Sequence, residues 1–286
     1  MVANAIAETL DVRPAKRFHL AVQLLTLVAT EVHSKSLGQS ALIFSPHPDD
    51  ECLGCGGTIL KKKQAGATVK LVHMTDGSGS HPATLISRQE LIATRHREAL
   101  SAAAILGVDD AYFLDFKDQA LSTNATDATQ RVVEILGKEQ PEQIFVPYRR
   151  EPMAQAADHV ATTNIVWSAL ESYPKPVMVW EYPVWYWFHW PWVGFQKGCL
   201  GRRYLAKNSL KLMFGCHALL ELRNSVNIQD VLRKKIAALA EHRSQMTELV
   251  PNPAWTTLGK VSGGEWLEMF CLDYEFFRCT LHHPHA

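Results

Sequence analysis

The chain has 286 residues, of which 29 are Lys or Arg and 29 are Asp or Glu, so its formal net charge is zero. This balance argues against a general nucleic-acid binder, which normally carries a basic excess or stripe. Apolar residues make up 47% and charged residues 20%, which is typical of a globular protein and too apolar for a disordered one. The six cysteines are scattered, so no disulfide framework is predicted.

The most apolar run near the N-terminus, residues 20–30, is too short to cross a membrane. We interpret it as an amphipathic surface helix rather than a signal peptide, because no small-residue cleavage pattern follows it closely. The sequence therefore predicts no transmembrane segment, and we expect a cytoplasmic protein.

Short apolar or β-branched runs alternate with longer helical patterns between residues 41 and 185. Strands are predicted at residues 41–45, 68–75, 111–114, 143–147 and 177–184, and helices at residues 57–64, 87–106, 128–138 and 158–173. Strands that alternate with helices of this length indicate βαβ units and a parallel sheet covered on both faces. We predict an α/β fold with a Rossmann-like, doubly wound, mostly parallel sheet.

The pattern changes after residue 185. Helices are predicted at residues 202–222 and 231–247, and the rest of this region mixes turns with short apolar runs. No change in composition marks a second domain. Residues 1–286 are therefore predicted to form one domain, with a core at 41–185 and a helical and irregular C-terminal elaboration at 186–286.

Polar side chains follow the ends of four predicted strands. They are His47 to Glu51, Thr75 to Gly77, Asp115 to Asp118, and Arg149 to Glu151 with Asp158-His159 further on. In an open α/β sheet, ligands bind outside the carboxyl ends of the strands, where the strand order reverses. We therefore expect these four loops to converge on one site.

His47 and Asp50 lie on a Pro-containing turn that allows an imidazole nitrogen and a carboxylate oxygen to face one point. Zinc takes such ligands, and His159 is the natural third one, which leaves a fourth position for water. Asp49 would then take a proton from that water. The alternative is that residues 49–51 only cap a helix. The preceding strand, His47 and the second Asp-His pair argue against it.

The run SPHPDDE at residues 45–51, followed by GCGGT at residues 54–58, resembles the signature of the PIG-L/LmbE-like N-deacetylases. The resemblance spans residues 41–250. Further matching positions are Thr75-Asp76-Gly77, Arg95 with Glu98, Phe113-Leu114 with Asp118, Val146-Pro147, Asp158-His159 and His242 to Gln245. The resemblance implies a zinc hydrolase that removes acetyl groups from N-acetylglucosamine-type sugars on lipids, thiol cofactors or antibiotics.

The resemblance also implies roles for single residues. It gives His47, Asp50 and His159 as zinc ligands, Asp49 as the general base, and Arg88, Arg95 and Asp118 as candidates for holding substrate hydroxyls. One position departs from the family pattern, because Ala156 stands where the second motif has a His that helps the tetrahedral intermediate. We expect a donor from another position to replace it. The candidates are Gln155, Tyr148 and His189.

Residues 180–192 hold five of the eight tryptophans. Aromatic rings stack on sugars and favour membrane interfaces, so core packing, a glycan or glycolipid contact and a dimer contact all stay open for this segment. The basic residues between 197 and 211 agree with an anionic or lipid-linked substrate and equally with a solvated helix face. The sequence thus leaves open a peripheral membrane contact and a homo-oligomer.

Other catalytic motifs are absent from the sequence or incomplete. Cys52 and Cys55 form a CxxC motif, but the sequence has no second one to complete a metal site. We therefore interpret both cysteines as packing residues. The glycines at 54, 56 and 57 do not complete GxGxxG, and neither GxSxG nor HExxH occurs. We predict a zinc-dependent N-deacetylase whose partner is an amino-sugar-containing small molecule or glycolipid. The alternatives are a zinc amidase acting on a larger acyl group and a non-catalytic sugar-binding protein with the same fold.

Overall fold

The computed structural model describes residues 19–151, 156–188, 192–193, 210, 213 and 216–284. Eight strands in these residues form one mixed sheet. The strands are β1 (Thr30–Glu31), β2 (Ala41–Ser45), β3 (Val69–Thr75), β4 (Asp110–Phe116), β5 (Gln143–Pro147), β6 (Val177–Tyr182), β7 (Asn224–Asn227) and β8 (Tyr274–His282). Their spatial order is β1-β7-β8-β6-β5-β2-β3-β4. The predicted α/β fold with a mostly parallel sheet is confirmed.

The order of the parallel strands reverses between β2 and β5. Ala41 of β2 pairs with Val69 of β3 on one side and with Gln143 of β5 on the other, and all three strands run in the same direction. The carboxyl ends of β2 and β5 therefore border the switch point, which is where open α/β sheets bind their ligands.

Helices lie on both faces of the sheet. They are α1 (His19–Val28), α2 (Ser34–Leu37), α3 (Asp50–Gln64), α4 (Arg88–Leu106), α5 (Ala125–Glu139), α6 (Ala157–Leu170), α7 (Cys216–Glu221), α8 (Leu232–Ala240), α9 (Arg243–Met246) and α10 (Glu265–Glu268). In β2, Ile43 belongs to one apolar cluster, whereas Leu42 and Phe44 belong to the other. Because alternate side chains of a strand face opposite sides, burial on both faces produces the continuous apolar runs seen in the sequence.

Helix α3 begins at Asp50, earlier than the predicted start at residue 57. Its glycines allow close packing: a Cβ at Gly54 would lie 2.1 Å from the ring of Tyr182, and one at Gly57 would lie 2.6 Å from Ile228. The glycine-rich run therefore lets α3, which follows β2, pack closely against Tyr182 and Ile228.

The C-terminal region differs in part from the prediction. The helix predicted at 231–247 is two helices, α8 and α9, separated at Glu241-His242. Most of the helix predicted at 202–222 lies outside the described residues. The part that is described contains helix α7. Strands β7 and β8 were not predicted, and β8 runs antiparallel to both β6 and β7. Among the described residues, no helix has the length and apolar character needed to cross a bilayer.

Candidate active site

The predicted loops converge at the switch point. His47, Asp49 and Asp50 follow β2, Asp118 follows β4, and His159 lies in the first turn of α6 after β5. The fold brings together side chains that are up to about a hundred residues apart in the chain, because the carboxyl ends of parallel strands meet at one edge of the sheet.

Three side chains form a candidate metal centre. An Asp50 carboxylate oxygen, Oδ2, lies 3.1 Å from His47 Nδ1 and 3.3 Å from His159 Nε2. One ligand atom from each residue lies within 4.8 Å of the others. His159 is fully buried, and within the described residues its Nδ1 has no hydrogen-bond partner while its Nε2 lies against the Asp50 carboxylate, so the ring is placed to bind a cation together with Asp50. Two imidazole nitrogens and one carboxylate oxygen fit a divalent cation such as zinc.

The far side of the His47 ring contacts two more carboxylates. His47 Nε2 lies 3.3 Å from Asp118 Oδ1 and 3.5 Å from Asp158 Oδ2. Asp158 is held in place by the backbone N–H groups of Gln119 and Leu121, at 2.6 Å and 3.2 Å. Metal-binding histidines usually donate their second ring nitrogen to a carboxylate, which fixes the ring. This pair therefore orients the opposite nitrogen of His47 toward Asp50.

The same carboxylates determine the charge of His47. Burial lowers the pKa of the ring, but the hydrogen bonds to Asp118, Asp158 and Asp50 outweigh it and raise that pKa well above its usual value. The Asp50 carboxyl responds in the opposite way: burial raises its pKa, and His159 and His47 lower it far below its usual range. The site is thus a concentration of negative charge that attracts a cation.

Asp49 lies beside the metal centre in a strained conformation. Its φ of 144° is uncommon for a residue with a side chain. Its backbone N–H donates to Glu51 Oε2 at 3.0 Å, and its Oδ2 accepts from Arg95 at 3.0 Å. The buried Arg95 guanidinium also donates to the carbonyls of Pro48 and Gly77. Burial raises the pKa of Asp49 to about 7, although the charge of Arg95 acts against it.

Sequence reasoning gave no role to a buried pair behind this loop. Glu51 is fully buried and accepts from Ser45 Oγ at 3.0 Å, while His242 Nε2 lies 3.1 Å from its other oxygen. Burial raises the pKa of Glu51, but the hydrogen bond and charge of His242 bring it down to about 2. Both residues lie within motifs that match the family signature, which was the only sequence signal for them.

A pocket of about 210 Å³ opens over these groups. Its lining residues are His47, Asp49, Asp50, Leu53, Gly79, Ser80, Arg95, Asp118, Gln119, Trp185, Gln245, Leu258 and Trp266. The pocket therefore includes Asp49 and two of the three predicted ligands, and also Arg95 and Asp118. Both Arg95 and Asp118 make protein contacts here, with Asp49 and His47 respectively.

Other predicted residues lie elsewhere. Arg88 is exposed at the start of α4 and is not among the described residues that line the pocket. Tyr148 is fully buried, and its hydroxyl donates to Glu221 Oε2 at 2.6 Å, so its donor is already used. Gln155 and His189 lie outside the described residues. Ala156 is 1% exposed at the beginning of α6.

Part of the chain is similar to known deacetylases. Residues 42–170 match the protein-family model described as PIG-L, GlcNAc-PI de-N-acetylase. Diacetylchitobiose deacetylase of Thermococcus kodakarensis is 34% identical over 121 residues, which are 42% of this chain and 45% of that protein. The probable N-acetyl-alpha-D-glucosaminyl L-malate deacetylase 2 of Bacillus anthracis is 30% identical over 139 residues, 47% of this chain and 60% of that protein. The chain thus spans about half the length of these two curated relatives.

A solved structure extends the likeness in fold. N,N'-diacetylchitobiose deacetylase from Pyrococcus horikoshii aligns with a TM-score of 0.61 at 24% sequence identity. The alignment covers 85% of this chain and 84% of that one, so the likeness in fold extends beyond residues 42–170.

Proposed function

We propose that this chain, which carries a PIG-L (LmbE-like) domain over residues 42–170, is a metal-dependent N-deacetylase. Its substrate would be an N-acetylglucosamine-type amino sugar, in a small molecule or a glycolipid. The observation that carries the proposal is the convergence of His47, Asp50 and His159 at the switch point, beneath a pocket that His47, Asp49 and Asp50 line. The named activities of the two curated relatives support it.

Zinc is the metal we propose for this site. His47, Asp50 and His159 offer the mixed nitrogen and oxygen donors of catalytic zinc sites, which keep one position open. When bound, the cation supplies Lewis-acid polarisation of the acetamide carbonyl and of the attacking water. Asp118 and Asp158 hold the His47 ring in the orientation that this binding needs.

Asp49 would move the proton. Its carboxylate accepts a proton from the water as the water oxygen bonds to the carbonyl carbon, and it returns that proton to nitrogen as the C–N bond breaks. The products are acetate and a free amine. The ion pair with Arg95 at 3.0 Å and the Glu51 contact to the backbone keep Asp49 in this position.

One observation favours a second candidate function. Ala156 supplies no hydrogen-bond donor to an oxyanion, and the Tyr148 hydroxyl is bonded to Glu221. A protein that lacks an oxyanion donor would bind the amino sugar without turning it over at a useful rate, since one such donor is worth about 10²–10³ in rate. The two candidates share a ligand and differ in whether acetate is released.

The deciding experiment is acetate release from N-acetylglucosamine, N,N'-diacetylchitobiose and N-acetylglucosaminyl-inositol. The purified chain would be stripped of metal and then reloaded with zinc. We expect acetate from at least one compound, dependent on zinc and lost in Asp49→Asn. Binding of the sugars without acetate release would support the second candidate. N-butyryl and N-hexanoyl analogues test the alternative of a larger acyl group.

A further inference from the structure

The pocket over the metal centre has two walls of different chemistry. The aromatic wall consists of Leu53, Trp185, Leu258 and Trp266. The polar wall consists of Ser80, Gln119 and Gln245. None of these seven side chains has a role in the metal binding or the proton transfer described above, so the two walls are available to bind the rest of the substrate.

Trp185 is the half-buried aromatic residue of the aromatic wall. One face of its indole stacks on Trp266, with ring centroids 4.7 Å apart and an angle of 19° between the planes. Phe188 meets it edge-on, at 6.2 Å and 74°. Since one face is covered and the residue lines the pocket, the indole presents its opposite face or its outer edge to the pocket.

The ring is held firmly relative to the metal centre. Trp266 is fully buried, and its indole N–H donates to the carbonyl of Val184 at 3.1 Å. The N–H of Val184 donates to the carboxylate of Glu151 at 2.6 Å. Glu151 follows the end of β5, the strand that leads to His159. Trp185 is therefore positioned by contacts that begin at the same sheet edge as the metal ligands.

The polar wall is also held in place. The Gln245 amide donates to Ser80 Oγ at 3.2 Å, and the Gln119 amide donates to the carbonyl of Gly79 at 3.2 Å. A Cβ at Gly79 would lie 2.4 Å from the Gln119 amide nitrogen, so the loop and this side chain are closely packed. Each amide also has a carbonyl oxygen that can accept from a hydroxyl group.

We propose that Trp185 determines specificity by stacking on the apolar face of a pyranose ring whose acetamide reaches the metal centre. The C–H face of the sugar packs on the indole, and its hydroxyl groups face the polar wall. The site would therefore select acetamides carried on a pyranose ring over acyclic acetamides. This inference rests on the proposed function, since it assumes an amino-sugar substrate.

The test measures binding rather than turnover. The zinc-loaded Asp49→Asn protein is titrated calorimetrically with methyl N-acetyl-β-D-glucosaminide and with the acyclic N-acetylethanolamine. Trp185→Ala and Trp185→Phe are compared with Trp187→Phe, a control in the same segment at a buried residue that does not line the pocket. Zinc content and thermal melting confirm that each variant is folded and loaded.

We expect Trp185→Ala to weaken binding of the glucosaminide about tenfold or more, and Trp185→Phe to keep most of the affinity. The acyclic compound should bind equally to all variants, and Trp187→Phe should behave as the parent. Unchanged affinity of Trp185→Ala for the glucosaminide would overturn the stacking role, as would an equal loss for both compounds.

The outcomes also separate this inference from the proposed function. If the zinc-loaded Asp49→Asn protein binds no amino sugar, the proposed function fails as well. If the wild-type chain deacetylates glucosaminides and Trp185→Ala binds them normally, only this inference fails.

Discussion

The Glu51 carboxylate accepts a hydrogen bond from the backbone N–H of Asp49 at 3.0 Å, and this contact holds Asp49 at a φ of 144°. Strained backbone of this kind costs on the order of 1–3 kcal/mol and persists only where neighbouring groups enforce it. The buried His242 contacts the other oxygen of Glu51. The proposed proton acceptor is therefore placed by a side chain outside the pocket.

Glu51→Gln tests this relationship. Glutamine keeps the shape of the side chain but replaces one acceptor oxygen with an NH₂ donor. If that NH₂ faces the backbone N–H of Asp49, two donors meet and the bond is lost. If it takes the other position, the contact with His242 changes instead. We expect kcat to fall tenfold or more with zinc content and fold preserved, as measured by acetate release and metal analysis. Glu134→Gln, at an exposed position of α5, is the control. Loss of zinc in the Glu51 variant would show that Glu51 maintains the ligand loop and not Asp49 alone.

Asp49→Asn is expected to bind zinc normally and to lose most turnover. The amide is nearly isosteric but cannot accept the proton, and general-base catalysis is typically worth about 10²–10⁴-fold. Steady-state kinetics and metal content together check this result. An unchanged kcat would assign Asp49 a structural role.

The activity is expected to fall in acid. Burial raises the pKa of Asp49 to about 7, and the reaction needs the ionised carboxylate. As the pH drops through that pKa, Asp49 gains a proton and kcat/KM decreases. A bound cation favours the ionised form, so the midpoint should lie at or below this value. A pH profile of kcat/KM measures the midpoint, and the residual activity of Asp49→Asn should lack this acidic limb.

His159→Ala is expected to lose most of the metal. The change removes one of the three proposed ligands, a buried imidazole, and leaves only His47 and Asp50. A cation that binds only the folded protein stabilises it by about 2.7 kcal/mol at a concentration of a hundred times its Kd. Added zinc should therefore raise the melting temperature of the wild-type protein and have little effect on the variant. Stoichiometric zinc in the variant would mean that the ligand set is different.

Ala156→His asks whether the site lacks an oxyanion donor. The Tyr148 hydroxyl is bonded to Glu221, but we expect the proposed deacetylase to use a donor from another position, so a new imidazole at residue 156 should change kcat by less than about tenfold. Ala157→His, at the exposed neighbouring position, is the control. A gain near the 10²–10³ typical of such a donor would show instead that the site lacks one.

The sequence predicted the parallel core because strands buried on both faces leave continuous apolar runs. It also predicted that His47 and His159 come together, since both follow strands that border the switch point. It did not predict β8, whose YEFFRCTLH run lacks a clear alternation and whose partners β6 and β7 are distant in the chain. The start of α3 was misplaced because the packing of Gly54 against Tyr182 is a contact between distant segments.

The same limit explains the missed pair behind Asp49. Glu51 and His242 are 191 positions apart, and no local sequence pattern predicts that they are in contact. Their family motifs marked the positions as worth attention. Only the three-dimensional structure shows that the two side chains meet.

The place of β8 in the sheet constrains the order in which the protein can fold. The five parallel strands β2 to β6 pair with one another and need no later segment. Strands β1 and β7 pair with each other but join the rest of the sheet through β8, which lies between β7 and β6. A chain still being synthesised could therefore assemble the parallel half early, whereas β1, although it precedes β2 in the chain, would gain its place in the sheet only after residues 274–282 have left the ribosome.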